Sequence, residues 1–237
     1  MTQLLLNVPF SQKDTVKAMG ARWNPELKKW FVPEGCPSIP FIPWIEQLKD
    51  VGKYSLYSEF YYIGVNACRC WKCDELINLY AFCLPRRHKY LNIDFLNADE
   101  EETDTAWELS DDDGISIMRC ESDRTIYTWS ENPCFSGVSR ITDIDPRALS
   151  QIRHYSPAWR PGYSYTAGTS YYANHCPHCA RIQGDFMIFS EPGGAFLPES
   201  PVQAEKIQLH KVDEPLFLKG GTCWTSHDFF EHMTVVS

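Results

Sequence analysis

The sequence predicts an α+β protein, with a small N-terminal strand–helix–hairpin unit followed by a β-rich region. Two observations carry that expectation. Residues 4–32 pass from an apolar strand pattern to a helical one and then to two aromatic runs around a turn. Beyond residue 54 the chain is a series of short apolar and aromatic runs separated by turn formers, with one short helical stretch near residue 150. The 237 residues are 43% hydrophobic and 22% charged, which excludes wholesale disorder and suffices to bury a core. No apolar run approaches the roughly 20 residues needed to cross a bilayer. The first nine residues have no basic region, and their apolar stretch is too short for a secretory signal. A soluble cytoplasmic protein is therefore expected.

The N-terminal elements follow from local chemistry. Leu4, Leu5, Leu6 and Val8 form a short strand ending at Pro9. Ser11 is placed to cap a helix, with Asp14 at its third position in an approximate capping box. Val16 and Met19 share one face of that helix, and Gly20 ends it as a left-handed cap residue. Ala21-Arg22-Trp23 and Lys28-Lys29-Trp30-Phe31-Val32 then flank Asn24-Pro25-Glu26-Leu27, a hairpin signal. Pro33, Gly35, Pro37, Pro40 and Pro43 interrupt regular structure, marking a linker or surface crossing.

In this segment Leu6-Asn7-Val8-Pro9-Phe10, Lys13, Ala18, Gly20 to Pro25, Lys28-Lys29-Trp30 and Val32-Pro33 closely resemble a small bacterial domain of unknown function. That domain occurs at the ends of TraC-type plasmid DNA primases and beside zinc modules in uncharacterised proteins. The hairpin is also similar, more distantly, to the HARP domain of annealing helicases. The resemblance covers about 35 residues strongly and implies a bacterial, mobile-element setting. It implies little chemistry, because the fused partners hold the known activities.

Further along, an aromatic-rich strand is expected from Tyr54 to Val65 and a returning strand over Leu76 to Leu84. Strands are expected at Ile115 to Met118 and Thr125 to Trp129, then a helix over Pro146 to His154. Ser170 to Asn174 and Gly184 to Phe189 read as strands, as do Ile207 to Lys211 and Leu216 to Leu218. The expected division is an N-terminal domain over 1–45 and a second over 46–237, with an acidic insertion at about 86–165.

Ten cysteines without an export signal do not read as a disulfide framework. Two pairs have metal-ligand spacing, Cys70/Cys73 and Cys176/Cys179. A tight turn between cysteines two apart points both sulfurs at one ion, and two such turns satisfy tetrahedral Zn²⁺. Joined across 102 residues they form a split zinc ribbon, expected to hold one structural zinc with no open coordination position. The resemblance implies the same pairing. Cys68 offers an alternative register in which it replaces Cys70 or Cys73, and His175 and His178 flank the second pair. Buried free thiols and a redox pair are the competing readings; no thioredoxin-like βαβ pattern surrounds either motif. Cys36, Cys83, Cys120, Cys134 and Cys223 have no partner at metal spacing and read as buried thiols.

No catalytic motif stands out. Phosphate-cradling glycine loops and His-Glu-x-x-His are absent, and His227 to His232 is one residue too long for an inverted zincin motif. Asp143 and Asp145 precede Pro146, so Asp145 reads as a helix cap before it reads as a Mg²⁺ ligand. Cys223 with His227 shows no local sign of activation. A non-enzymatic binding module is the resulting expectation.

Charge narrows the partner. The formal net charge is −9, yet nine acids (Asp99, Glu100, Glu101, Glu102, Asp104, Glu108, Asp111, Asp112 and Asp113) lie in one stretch without a base. Without them acids and bases balance, so the acidity is local and disfavours only strong, sequence-indifferent duplex binding. The stretch reads first as a solvated loop, with Trp107 a reason to expect partial docking, and second as an acidic face for a protein partner or nucleic-acid mimicry. In the hairpin, alternation sends Arg22 and Lys29 away from Trp23 and Trp30. The first reading packs both tryptophans on Val16 and Met19. The alternative makes Arg22, Lys28 and Lys29, with the aromatics, a contact surface for single-stranded nucleic acid.

Overall fold

The computed structural model describes residues 4–48, 50, 52–95, 107–109, 116–120, 125–223 and 229–236; for 94–95, 107–109 and 116–120 the backbone alone is described. The chain is α+β, mostly sheet with a few short helices. It divides into two compact units, residues 1–57 with 89–132, and residues 58–88 with 133–237. The expected domains 1–45 and 46–237 group these segments differently. No helix among the described residues is long and apolar enough to cross a membrane.

In the first unit, strands Leu4–Leu6, Lys29–Val32 and Arg22–Asn24 form an antiparallel sheet with Lys29–Val32 at its centre. The expected Ser11 cap does not form. Pro9 turns the chain first, the Gln12 N–H donates to the Pro9 carbonyl at 2.9 Å, and Phe10–Gln12 is a 3-10 turn ahead of the helix Lys13–Ala18. Gly20, at φ 105°, ends the helix in the left-handed region as its sequence predicts. The proline-rich stretch is not a linker. Ile39–Trp44 is a 3-10 helix whose Ile39, Phe41 and Ile42 are buried, and Asn7 N–H donates to the Trp44 carbonyl at 2.7 Å. Prolines tolerate this conformation, and the apolar residues between them supply core with Leu6, Val16 and Ile45.

Trp23 and Trp30 sit opposite each other in the hairpin, edge to face at 5.7 Å. They are not buried together, because Trp30 lies on the central strand and Trp23 on the edge strand, where it remains 49% exposed. The same unit orders Leu56–Ser58, His88–Phe95, Thr125–Asn132, Ser116–Cys120 and Trp107–Leu109 side by side. Within the acidic stretch, Trp107–Leu109 pairs antiparallel with Ser116–Cys120; the rest of the expected loop lies outside the described residues.

In the second unit the sheet order is Thr234–Val236, Gln208–Val212, Tyr61–Arg69, Leu76–Leu84, Ser136–Ile144 and Leu216–Thr222. The expected single strand over 54–65 is interrupted after Ser58, whose hydroxyl donates to the Phe60 carbonyl at 2.6 Å. Arg160–Ser164, Thr169–His175 and Ile182–Gln183 make a second, smaller antiparallel group, joined to the first through Ile141 and Tyr172. Asp145 caps the helix Pro146–Tyr155, accepting from the Arg147 N–H at 2.9 Å. The run expected as a strand at 184–189 is instead the short helix Asp185–Phe189. Its apolar residues fit either period, and Ile188 and Phe189 are buried from the helix.

Candidate metal centre

Both cysteine pairs occupy turns of the same construction. Tyr61–Arg69 pairs with Leu76–Leu84 up to Arg69 opposite Leu76, and Thr169–His175 pairs with Ile182–Gln183 up to His175 opposite Ile182. Cys70-Trp71-Lys72-Cys73 and Cys176-Pro177-His178-Cys179 therefore begin one residue after their strands. In the first turn Asp74 N–H donates to the Cys70 carbonyl at 3.0 Å and Cys70 N–H to the Glu75 carbonyl at 2.9 Å. In the second, Ala180 N–H donates to the Cys176 carbonyl and Cys176 N–H to the Arg181 carbonyl, both at 2.9 Å. Asp74 and Ala180 are left-handed at φ 61° and 58°, the bend that folds each turn back on its strand.

The two turns face one another. The four sulfurs lie within 4.8 Å of each other, with Cys70 to Cys179 at 3.7 Å and Cys73 to Cys176 at 3.6 Å. A tetrahedral thiolate site with metal–sulfur bonds of about 2.3 Å has sulfur–sulfur edges of about 3.8 Å. A disulfide would require about 2 Å. The donor set thus fits a four-coordinate metal ion. Cys70 and Cys176 are buried and Cys73 and Cys179 half-buried, at the margin of an apolar cluster that includes Ile77, Leu79, Ile188 and Leu209.

The electrostatics favour a cation. Burial raises the Cys70 thiol, but hydrogen bonds from the Cys73 and Lys72 N–H groups and the Cys73 and Cys176 thiols bring it down to about 6. At Cys73 the Glu75 N–H lowers the value, outweighed by burial and the Cys70, Cys176 and Cys179 sulfurs, which push it up to about 12. Negative charge on one sulfur opposes charge on its neighbours, and a bound cation removes that conflict. The Lys72 N–H and the buried Gln183 amide each donate to the Cys70 sulfur at 3.4 Å.

Cys68 is not part of the cluster. It lies within the strand, opposite Ile77, and holds the position that Asn174 occupies in the other hairpin. Burial raises its thiol. His175 also stays outside, its Nδ1 against the Ala173 carbonyl at 3.1 Å, and exposed His178 is not in the group. Among the described residues Cys36, Cys83, Cys134 and Cys223 join no such group, and the Cys120 side chain lies outside them. Asp143 is exposed while Asp145 serves the helix cap, and His227 is outside the described residues. Arg22, Lys28 and Lys29 are exposed on the N-terminal hairpin, as expected.

Three further residues join the hairpins. The Asn174 amide donates to the Tyr80 carbonyl at 2.8 Å and accepts from the Tyr80 N–H at 2.9 Å, as a neighbouring strand would. The Trp71 indole donates to the Ile182 carbonyl at 2.7 Å. Gln183 is the third. None of these was legible as functional, since each acts across a sequence gap of about 100 residues. The signal available was position: Asn174 and Gln183 are symmetric about the second turn.

Residues 3–46 match the family described as a domain of unknown function, DUF5710. Two proteins named DNA primase TraC from Escherichia coli resemble the same region. One is 50% identical over 42 residues, covering 18% of this chain and 4% of the relative. The other is 42% identical over 41 residues, covering 17% and 3%. The matched segment is thus a small part of each relative's length, and the four clustered cysteines lie outside it. No solved structure matches the chain significantly.

Proposed function

We propose that this chain is a non-enzymatic, zinc-stabilised binding module of bacterial, mobile-element type that works in the cytoplasm and contacts single-stranded nucleic acid through its N-terminal hairpin. Zinc is the ion of choice for four thiolates in a tetrahedral arrangement, and such a site is structural because no coordination position is left for water. The observation that carries the nucleic-acid reading is Trp23, 49% exposed, on a hairpin that also presents Arg22, Lys28 and Lys29 to solvent. The exposed ring suits stacking on an unpaired base, and the basic side chains of the same hairpin suit phosphate contacts. The likeness of this segment to proteins named DNA primases agrees with that partner class.

The test is fluorescence anisotropy of the full chain with labelled single strands and duplexes over a salt series. Lys28→Gln with Lys29→Gln weakens single-strand binding and makes the log–log salt dependence shallower by about 1.4, from about 0.7 per lost phosphate contact. Folding survives, since exposed bases contribute little to stability. Absence of wild-type binding to either strand type overturns the reading. A protein-interaction or inhibitor role for the acidic residues 99–113 then leads, and their deletion becomes the informative variant.

A further inference from the structure

Charge and exposed aromatics also converge in the second unit, in a region that shares no sequence with the TraC-like segment. Between Asp145 and Asp185 the chain runs 39 residues without an acid, although its net charge is −9. The same stretch carries Arg147, Arg153, Arg160 and Arg181, all exposed, and none forms an ion pair with a described residue. Four guanidinium groups with no ion-pair partner among the described residues make this acid-free stretch locally cationic, which the global charge conceals.

Register places aromatic rings on one face of this stretch. In the Arg160–Ser164 and Thr169–His175 hairpin, Pro161 opposes Tyr172 and Tyr163 opposes Ser170, so Tyr172 and Tyr163 share a face. Tyr172 stacks on buried Trp159 with centroids 5.1 Å apart and planes 13° from parallel. Nearer the tip, Tyr163 and Tyr165 meet edge to face at 5.1 Å, and they are 52% and 92% exposed. At the other end the Arg153 side chain donates to the Trp159 carbonyl at 3.4 Å, which sets a guanidinium beside the ring row. The row begins in the core and ends in water.

We propose that this hairpin and the helix before it form a second contact surface for single-stranded nucleic acid, with Tyr163 and Tyr165 stacking on unpaired bases and Arg153 contacting phosphate. Exposed π faces need bases freed from a duplex stack, and guanidinium groups match phosphate geometry. The tip between the tyrosines and the returning strand is Thr166-Ala167-Gly168, small and uncharged, and the acid-free stretch around it favours a polyanionic partner.

The experiment uses the full chain and a labelled oligothymidylate, with a duplex of equal length as comparison. Tyr163→Ala with Tyr165→Ala lowers single-strand affinity by about tenfold to a hundredfold with the salt slope unchanged, because stacking releases no counterions. Tyr163→Phe with Tyr165→Phe retains binding, which separates stacking from hydroxyl contacts. Arg153→Gln makes the salt dependence shallower by about 0.7. Each variant is checked for native circular dichroism. Wild-type affinity in the Tyr→Ala pair and in Arg153→Gln overturns this surface; if Lys28→Gln with Lys29→Gln still weakens binding, the N-terminal reading stands without it. Loss in the tyrosine pair and in Arg153→Gln with no effect at Lys28 and Lys29 supports this surface and overturns the other.

Discussion

Asp185 shows what a single buried carboxylate does to this fold. It is 6% exposed, its carboxylate accepts from the Arg140 N–H, and its own N–H donates to the Tyr171 hydroxyl at 3.2 Å. Burial pushes its pKa up to about 7, opposed by the Arg140 N–H and guanidinium. In the unfolded chain the same group ionises at about 3.9. Between those values the folded protein holds a proton that the unfolded chain has released, so this residue's contribution to stability falls as pH rises, then levels off above about 7. Asp185→Asn removes that dependence. Urea melts of both proteins at pH 4.5 and 7.5 check it: the variant gains on the wild type at the higher pH, and an unchanged difference contradicts the assignment. Asp185 opens a helix where the sequence suggests a strand, and its partner at Arg140 lies 45 residues away. Local pattern carries neither fact. Trp23 and Trp30 make the same point, being alike in sequence and distinguished only by which strand lies at the sheet's edge.

At the scale of elements, the two cysteine turns were legible because their information is local: two thiols at one spacing, each between strand-forming runs. Their mutual approach was legible only as chemistry, from the need of a metal for four ligands. What holds the hairpins in register was not legible. Asn174 satisfies both backbone groups of Tyr80, and a lone asparagine before a cysteine motif gives no hint of it. Asn174→Ala leaves that N–H and carbonyl without partners and costs about 3 kcal/mol, whereas Ser170→Ala, at an exposed position of the same strand, costs little. Equilibrium urea denaturation distinguishes the two, and equal effects would contradict the bridging role. The proline-rich 3-10 helix escaped sequence reading for a different reason. Proline usually marks a break, and here Ile39, Phe41 and Ile42 make the segment part of the core.

For the whole molecule, the chain crosses between its two compact units at residues 57–58, 88–89 and 132–133. The second unit is therefore assembled from residues 58–88 and 133–237, and the four cysteines tie those separate pieces together. Metal binding at such a site is folding energy, because the unfolded chain holds no preformed tetrahedron. Cys176→Ser consequently destabilises far more than Cys36→Ser, whose thiol lies outside the cluster. The most direct measurement is elemental analysis of protein purified without chelator, followed by thermal melts with and without a strong chelator. About one zinc per chain and a large loss of stability on its removal are expected. Substantially less than one equivalent, with melting unchanged by the chelator, would contradict the zinc site.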